Sequence, residues 1–314
     1  MPKLNGNTLK SVFRYPGAKS RFLGEIVDKR MGVALREASS YMEAFVGGGS
    51  VLLYVANNYQ NIERFFVNDF DYLISSFWTC MGNEILTEAL ADKILNTIPT
   101  IELHKELQSK FPEIHKETTL ESAYIGLCLN RMSFSGILES GPIGGKTQAQ
   151  QATTENPVGC RFNAQSIADQ MRKINGVLNG KLYVSQVSFE DFIPCHPHDS
   201  SCVLYCDPPY YDKGNQLYRC TMDHAFHQLL ADTLKQCHMK WFLSYDTATQ
   251  IDDMYKNWSI PHRFPTRYSV RGSEKKIEGW TSNEEFLIES KDKTNEESGI
   301  SLQGHPIAAE ILGT

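Results

Sequence analysis

The chain has 314 residues, 41% hydrophobic and 22% charged, with a formal net charge of −6. That composition excludes disordered and fibrous classes and fits one large domain or two smaller ones. No apolar run is long enough to span a bilayer, and the polar stretch from Met1 to Lys10 lacks the apolar centre of a signal peptide, so a cytoplasmic protein is expected.

The acidic total argues against a nucleic-acid partner only when charge is averaged over the whole chain. Eight Lys and Arg between Met1 and Glu37 face three acids, and Arg263, Arg267, Arg271, Lys275 and Lys276 face Glu274 alone. Phosphate contacts need local cations of this kind. The eight cysteines contain no C-x-x-C pair, and Cys128, Cys202 and Cys206 sit in apolar runs, as reduced thiols do. Cys195, His196 and His198 with Cys202 and Cys206 match no common zinc spacing, so no metal is expected.

From the N-terminus, a turn at Tyr15–Gly17 enters an amphipathic helix carrying Phe22, Leu23, Ile26 and Val27 on one face. Lys19 and Ser20 fall at its start. Gly17-Ala18-Lys19-Ser20 lacks the upstream glycine of a phosphate loop. An apolar strand, 41–46, then runs into Gly47-Gly48-Gly49-Ser50 and a helix bearing Val51, Leu52, Leu53 and Val55. Glycines at that turn let the backbone approach a ligand and bend into the helix. A second strand, 64–68, ends in Asp69, where an acid bonds ribose hydroxyls in nucleotide-type folds. Strand, glycine turn, helix, strand and acid together point to an adenosine-containing cofactor, either a dinucleotide or S-adenosylmethionine. The turn does not fit G-x-G-x-x-G, which counts against the dinucleotide.

Helical patterning covers about 85–117, broken near Pro99, and 120–132, which closes on Asn130-Arg131. Residues 133–159 are rich in Gly, Ser, Thr, Gln and Pro, a polar loop of the length that is functional or disordered in compact chains. Its Gly141 to Thr147 segment is one residue short of a phosphate-loop spacing and follows no strand. A helix at 166–178 and a strand at 181–187 come next. Cys202 to Cys206 then reads as a buried parallel strand, stopped by Asp207-Pro208-Pro209-Tyr210-Tyr211 because proline cannot donate to a ladder. Ligands bind outside the carboxyl ends of such strands, which makes Asp207 and Tyr210 candidates to face one. Residues 212–219 have the composition of a mobile segment. The remaining expected elements are a helix at 223–237, strands at 240–246 and 285–289, a basic strand-like piece at 267–272 and a polar tail.

These motifs resemble the Dam-type, D12-class DNA adenine-N6 methyltransferases, which use S-adenosylmethionine. The resemblance covers nearly the whole chain. Arg14 to Lys19 resembles the family's N-terminal cofactor motif, with Tyr15 at a position that is often Trp. Glu43 to Ser50 is similar to its glycine motif with Ala44 for a usual proline, and Asn68-Asp69 to its second-strand acid. Asn130-Arg131 with Ser135-Gly136 resembles the signature before the DNA-reading loop, Ser135 replacing a usual Asn. Asp207-Pro208-Pro209-Tyr210 resembles the catalytic motif, followed by Tyr218 and Phe226, and Glu285 to Ile288 the closing strand. Residues 137–160 lack the recognition residues of GATC-reading members.

The resemblance implies an α/β class I S-adenosylmethionine-dependent methyltransferase, a Rossmann-like mixed sheet with helices on both faces. Residues 1–95 and 187–292 are expected to form the catalytic domain, 96–186 an inserted, mainly helical target-recognition domain, and 293–314 a tail. Tyr15, Lys19, Phe45, Gly47, Gly48, Gly49, Ser50, Asp69 and Asp207 are expected to hold the cofactor, and Arg131, Ser135 and Arg161 to contact double-stranded DNA. Asp207, Pro208, Pro209 and Tyr210 are expected to act on an adenine flipped out of the duplex. No membrane, metal or obligate protein partner is implied; the expected setting is the cytoplasm, at the nucleoid. The same chemistry serves cytosine N4 or an RNA adenine, and a catalytically idle DNA-binding module is the rival of another class. Restriction-linked, orphan and phage settings all stay open.

Overall fold

The computed structural model describes residues 9–14, 19–194, 201–211, 223–266 and 283–291. Tyr15, the segment 195–200, Tyr218, the basic piece 267–272 and the tail beyond Lys291 lie outside the described residues.

Among the described residues, seven strands form one mixed sheet in the order β3-β2-β1-β4-β5-β7-β6. Five are parallel: β1 (Ser40–Glu43), β2 (Arg64–Asn68), β3 (Leu182–Ser185), β4 (Cys202–Cys206) and β5 (Lys240–Asp246). β7 (Asn283–Ser290) runs antiparallel between β5 and β6 (Ser259–Thr266). Side chains of alternate residues leave a strand on opposite faces, and here each face has its own core. Tyr41, Phe65, Val67, Val203, Tyr205 and Phe242 pack on one side. Met42, Phe66, Leu204, Cys206, Trp241, Leu243 and Tyr245 pack on the other. Burial on both faces is why β4, Cys202–Cys206, is an unbroken apolar run rather than an alternating one.

Ahead of β1 a wide helical stretch, Gly24–Met31, continues into α1 (Gly32–Glu37). The first face of the sheet is covered by α2 (Ser50–Asn58), α3 (Tyr72–Met81), α4 (Glu84–Leu95), α6 (Thr119–Met132) and α8 (Ala164–Leu178). The second is covered by α9 (Phe189–Phe192), α10 (His224–Gln236) and α11 (Thr249–Tyr255). α5 (Ile101–Lys110) packs on α6. β3, inside the span read from sequence as an insertion, is a strand of the sheet, paired with β2. Ile94, Leu107, Leu129 and Met171 from the intervening helices belong to the same buried cluster as Tyr41 and Val203.

The sequence pattern missed β6, and the reason is physical. Pro261 and Pro265 break the strand pattern, but among the described residues β6 is the outermost strand, where one side of the backbone needs no donors. The polar loop after α6 is an ordered element. Ser133 bridges to Pro142, and α7 (Gln148–Thr153) begins with a capping box between Thr147 and Gln150. α5 serves as its back-plate: His104 bonds the Ser133 hydroxyl at 3.0 Å, Gln108 the Ser140 carbonyl at 2.9 Å, and Glu102 accepts from Gln148 at 2.8 Å. Among the described residues no helix is long and apolar enough to cross a membrane.

The chain builds outward from β1 to β2 and β3, then returns to place β4 on β1's other side. That reversal opens a crevice at the carboxyl ends of β1 and β4, the position where α/β sheets bind ligands.

Candidate active site

Three acids converge at this crevice: Glu43 ends β1, Asp69 follows β2 and Asp207 follows β4. The glycine turn after β1 is shaped by its neighbours. Gly47 and Gly49 hold positive φ values of 44° and 66°. A Cβ on Gly49 would stand 2.1 Å from the Trp78 ring, whose indole N–H donates to the Gly47 carbonyl at 2.9 Å. No other residue fits there. The Gly47 N–H donates to the Asp69 carboxylate at 2.8 Å, and the Asp71 N–H to its other oxygen at 2.9 Å. Burial nevertheless dominates, and with the nearby Asp71 charge pushes the Asp69 carboxyl up to about 7. Gly48 is buried in the turn, Ser50 opens α2, and Phe45 leans on Phe189 with ring centres 5.8 Å apart.

Asp207 meets Lys19. The buried Lys19 ammonium lies 2.7 Å from the Asp207 carboxylate and 4.8 Å from the centre of the Tyr210 ring. Burial raises the Asp207 carboxyl above its ordinary range, and the Lys19 charge pulls the other way. Lys19, read from sequence as a cofactor residue, therefore stands on the Asp-Pro-Pro-Tyr motif itself. Pro208, Pro209 and Tyr210 are buried. Glu43, also buried, accepts the Tyr41 hydroxyl at 2.8 Å, and burial pushes its carboxyl well above the usual range.

Sequence reasoning missed several residues here. Asn68 ties three elements together: its amide donates to the Ala44 and Val187 carbonyls, and its oxygen accepts the Val187 N–H at 3.0 Å. Phe70, next in sequence to Asp69, is 63% exposed, a large apolar ring at the surface. Its position directly after the strand-ending acid was the available signal. Tyr211 donates its N–H to Asp246 at 3.3 Å, a partner no local pattern reveals.

The residues expected at DNA lie on and around the Asn130-Arg131 motif. Asn130 bonds both the N–H and the carbonyl of Arg14 and also the Gly136 carbonyl, and a Cβ on Gly136 would meet the Arg14 carbonyl at 2.1 Å. Arg131 donates to the Val12 carbonyl at 3.1 Å. Burial, then the like charges of Arg14 and Arg161, bring Arg131 down to about 10. Arg161 and Ser135 are exposed, and Ser135 has a positive φ of 56°. No group of three or more His, Cys, Asp or Glu able to hold a metal occurs among the described residues.

A seven-stranded sheet with this strand order, a glycine turn after β1, acids after β1 and β2 and Asp-Pro-Pro-Tyr after β4 defines a class I S-adenosylmethionine-dependent methyltransferase. Residues 15–267 match the model of the D12 class N6 adenine-specific DNA methyltransferases, and the chain belongs to that family. It transfers a methyl group from S-adenosylmethionine to the N6 of adenine in DNA. No curated protein sequence matches it significantly. Similar solved structures include two of the rRNA methyltransferase AviRa from Streptomyces viridochromogenes. Their identities are 13% and 12% and their TM-scores 0.36 and 0.39, with 91% of each chain covered.

Proposed function

We propose that the crevice between β1 and β4 holds the cofactor on its β1–β2 side and a flipped adenine against Asp207-Pro208-Pro209-Tyr210. The observation that carries this reading is the pairing of Lys19 with Asp207 across from the Asp69–Gly47 bond, two polar anchors on opposite sides of one switch point. The residues fit S-adenosylmethionine. Asp69 offers a carboxylate to ribose hydroxyls and the exposed Phe70 an apolar face for a purine. Phe45, Gly47, Gly48, Gly49 and Ser50 line that side, and Tyr15 precedes Lys19 in the N-terminal motif. When bound, the cofactor supplies a methyl group on an electron-poor sulfonium.

An exocyclic adenine amine is a weak nucleophile because its lone pair is delocalised into the ring. The Asp207 carboxylate and the Pro208 carbonyl accept hydrogen bonds from the two N6–H groups, which draws the nitrogen toward tetrahedral geometry and localises that pair; the one proton lost as the N–C bond forms passes by way of Asp207 to solvent. Consecutive prolines fix these acceptors before substrate arrives, a preorganised arrangement that favours the transition state. The Lys19 charge opposes the burial that raises Asp207 and so favours the carboxylate, the form that accepts rather than donates. Tyr210 stacks on the base.

N6 takes part in base pairing, so the adenine leaves a duplex to reach Asp207. Residues 96–186, β3 apart, form the target-recognition region. Arg14, Arg131 and Arg161 gather like charge that a DNA phosphate relieves, and Ser135 lies beside them. Working on double-stranded DNA, the enzyme acts in the cytoplasm at the nucleoid. Asp207→Ala tests the reading: with circular dichroism unchanged, transfer of labelled methyl to DNA should vanish, and retained transfer would sink it. Nucleoside mass spectrometry of the wild-type product should show N6-methyladenine.

A further inference from the structure

The diproline fixes the acceptors of the catalytic motif but not the ring that follows them. Proline does not restrict the backbone torsions of Tyr210 itself, and a stacking platform needs a set plane to serve a flipped base. The structure supplies a closed circuit behind it. The Tyr210 ring lies 6.4 Å from that of Tyr245 on β5. The Tyr245 hydroxyl shares a hydrogen bond with Nδ1 of His227 on α10, and the two rings are 5.5 Å apart. His227 in turn lies 4.9 Å from Tyr211, the residue after Tyr210. Tyr211 is fixed at two further points: its N–H donates to Asp246 at 3.3 Å, and its hydroxyl bonds His224 at 3.0 Å. Tyr245, His227 and Asp246 are at most 5% exposed, so they do not form an ordinary solvated surface.

We infer that Asp246, Tyr245 and His227 are positioning residues that set the plane of Tyr210 through Tyr211. This rests on the proposed role of Tyr210 as the platform for the base. Neither β5 nor α10 contributes to the Asp-Pro-Pro-Tyr motif, yet together they hold its trailing end from two directions. A buried aspartate whose acceptor meets a loop N–H fixes backbone, while the Tyr245–His227 pair fixes the ring stack, so the two halves fail separately.

The test compares Asp246→Ala, Asp246→Asn and Tyr245→Phe in the full chain, with 3-fluorotyrosine placed at position 210. Asn keeps the acceptor, and Phe keeps the ring while losing the bond to His227. For Asp246→Ala and Tyr245→Phe we expect a broadened or split fluorine resonance and a methyl-transfer rate at saturating DNA and cofactor about 10- to 100-fold lower, as misplaced reacting groups give. Cofactor affinity by calorimetry should be unchanged, and Asp246→Asn should restore both signal and rate. A folded Asp246→Ala with one sharp wild-type resonance and full rate would overturn the inference. So would equal damage from Asp246→Asn, which would mean the charge matters rather than the bond. If Asp246→Ala does not fold, Tyr245→Phe decides by the same readings. Wild-type protein that leaves DNA adenine unmethylated would refute the functional reading, while the fluorine spectra would still decide the positioning.

Discussion

Replacing Lys19 with methionine removes one charge and keeps nearly the same volume. In the native protein the Lys19 ammonium is 3% exposed, the Asp207 carboxylate 22% exposed, and the two are 2.7 Å apart. Breaking a buried pair strands the remaining charge. Because Asp207 keeps some contact with water, we expect a loss of about 2–4 kcal/mol, at the lower side of the usual range. At about 2.1 cal/mol/K of unfolding entropy per residue, this corresponds to a melting temperature lower by about 3–6 °C. Protonation of Asp207 limits the loss. Burial already raises its carboxyl and Lys19 opposes that rise, so the variant's carboxyl moves further up. The folded variant then takes up a proton that the unfolded chain releases. Its stability deficit is smallest below the unfolded-chain value of about 3.9 and grows as pH rises through the folded one. Methyl transfer needs the ionised acceptor, so the acid limb of the rate profile should shift to higher pH. The assay is single-turnover transfer of labelled methyl to DNA across pH, with melting curves on the same samples. A variant with the wild-type acid limb and melting temperature would refute the claim that Lys19 controls the charge of Asp207.

Asp69, pushed up to about 7, should make cofactor affinity strengthen as pH rises through that value, since the carboxylate is the better acceptor of ribose hydroxyls. Asp69→Asn should flatten the calorimetric pH dependence and weaken binding by about tenfold or more; a wild-type affinity independent of pH from 6 to 8 would reject the role. Gly49→Ala combines a positive φ with a Cβ 2.1 Å from Trp78, so urea unfolding should show about 2–4 kcal/mol lost. An unchanged midpoint would show that the turn and Trp78 relax freely. For Arg131→Ala, DNA binding should weaken with unaltered cofactor affinity, and the slope of log affinity against log salt should become shallower by about one. Equal slopes would remove Arg131 from the phosphate contacts.

The central parallel strands were legible because they are rich in buried apolar residues and β2, β4 and β5 each end at an acid, Asp69, Asp207 and Asp246. Cys202 to Tyr210 and Tyr41 to Ser50 carry all of those signals locally, so their elements and candidate roles could be read without coordinates. β6 escaped because Pro261 and Pro265 are forbidden in a central strand and tolerated only on an edge, and being an edge is a property of the whole sheet. The loop after α6 escaped because its order comes from His104 and Gln108 on α5, tens of residues away, rather than from its own polar composition.

The same division runs through the site. The sequence alone determined the chemistry available: Asp207 beside two prolines, a glycine turn, and an acid one strand over. These are contiguous motifs whose geometry follows from backbone preferences a few residues long. Tertiary structure alone decided which groups meet. It put Lys19 on Asp207 rather than at a free helix end, gathered Arg14, Arg131 and Arg161, and gave Tyr211 the support of Asp246 and His227. Separations of 188 residues between Lys19 and Asp207, or 35 between Tyr211 and Asp246, are closed by the order in which strands join the sheet. No local periodicity encodes that order.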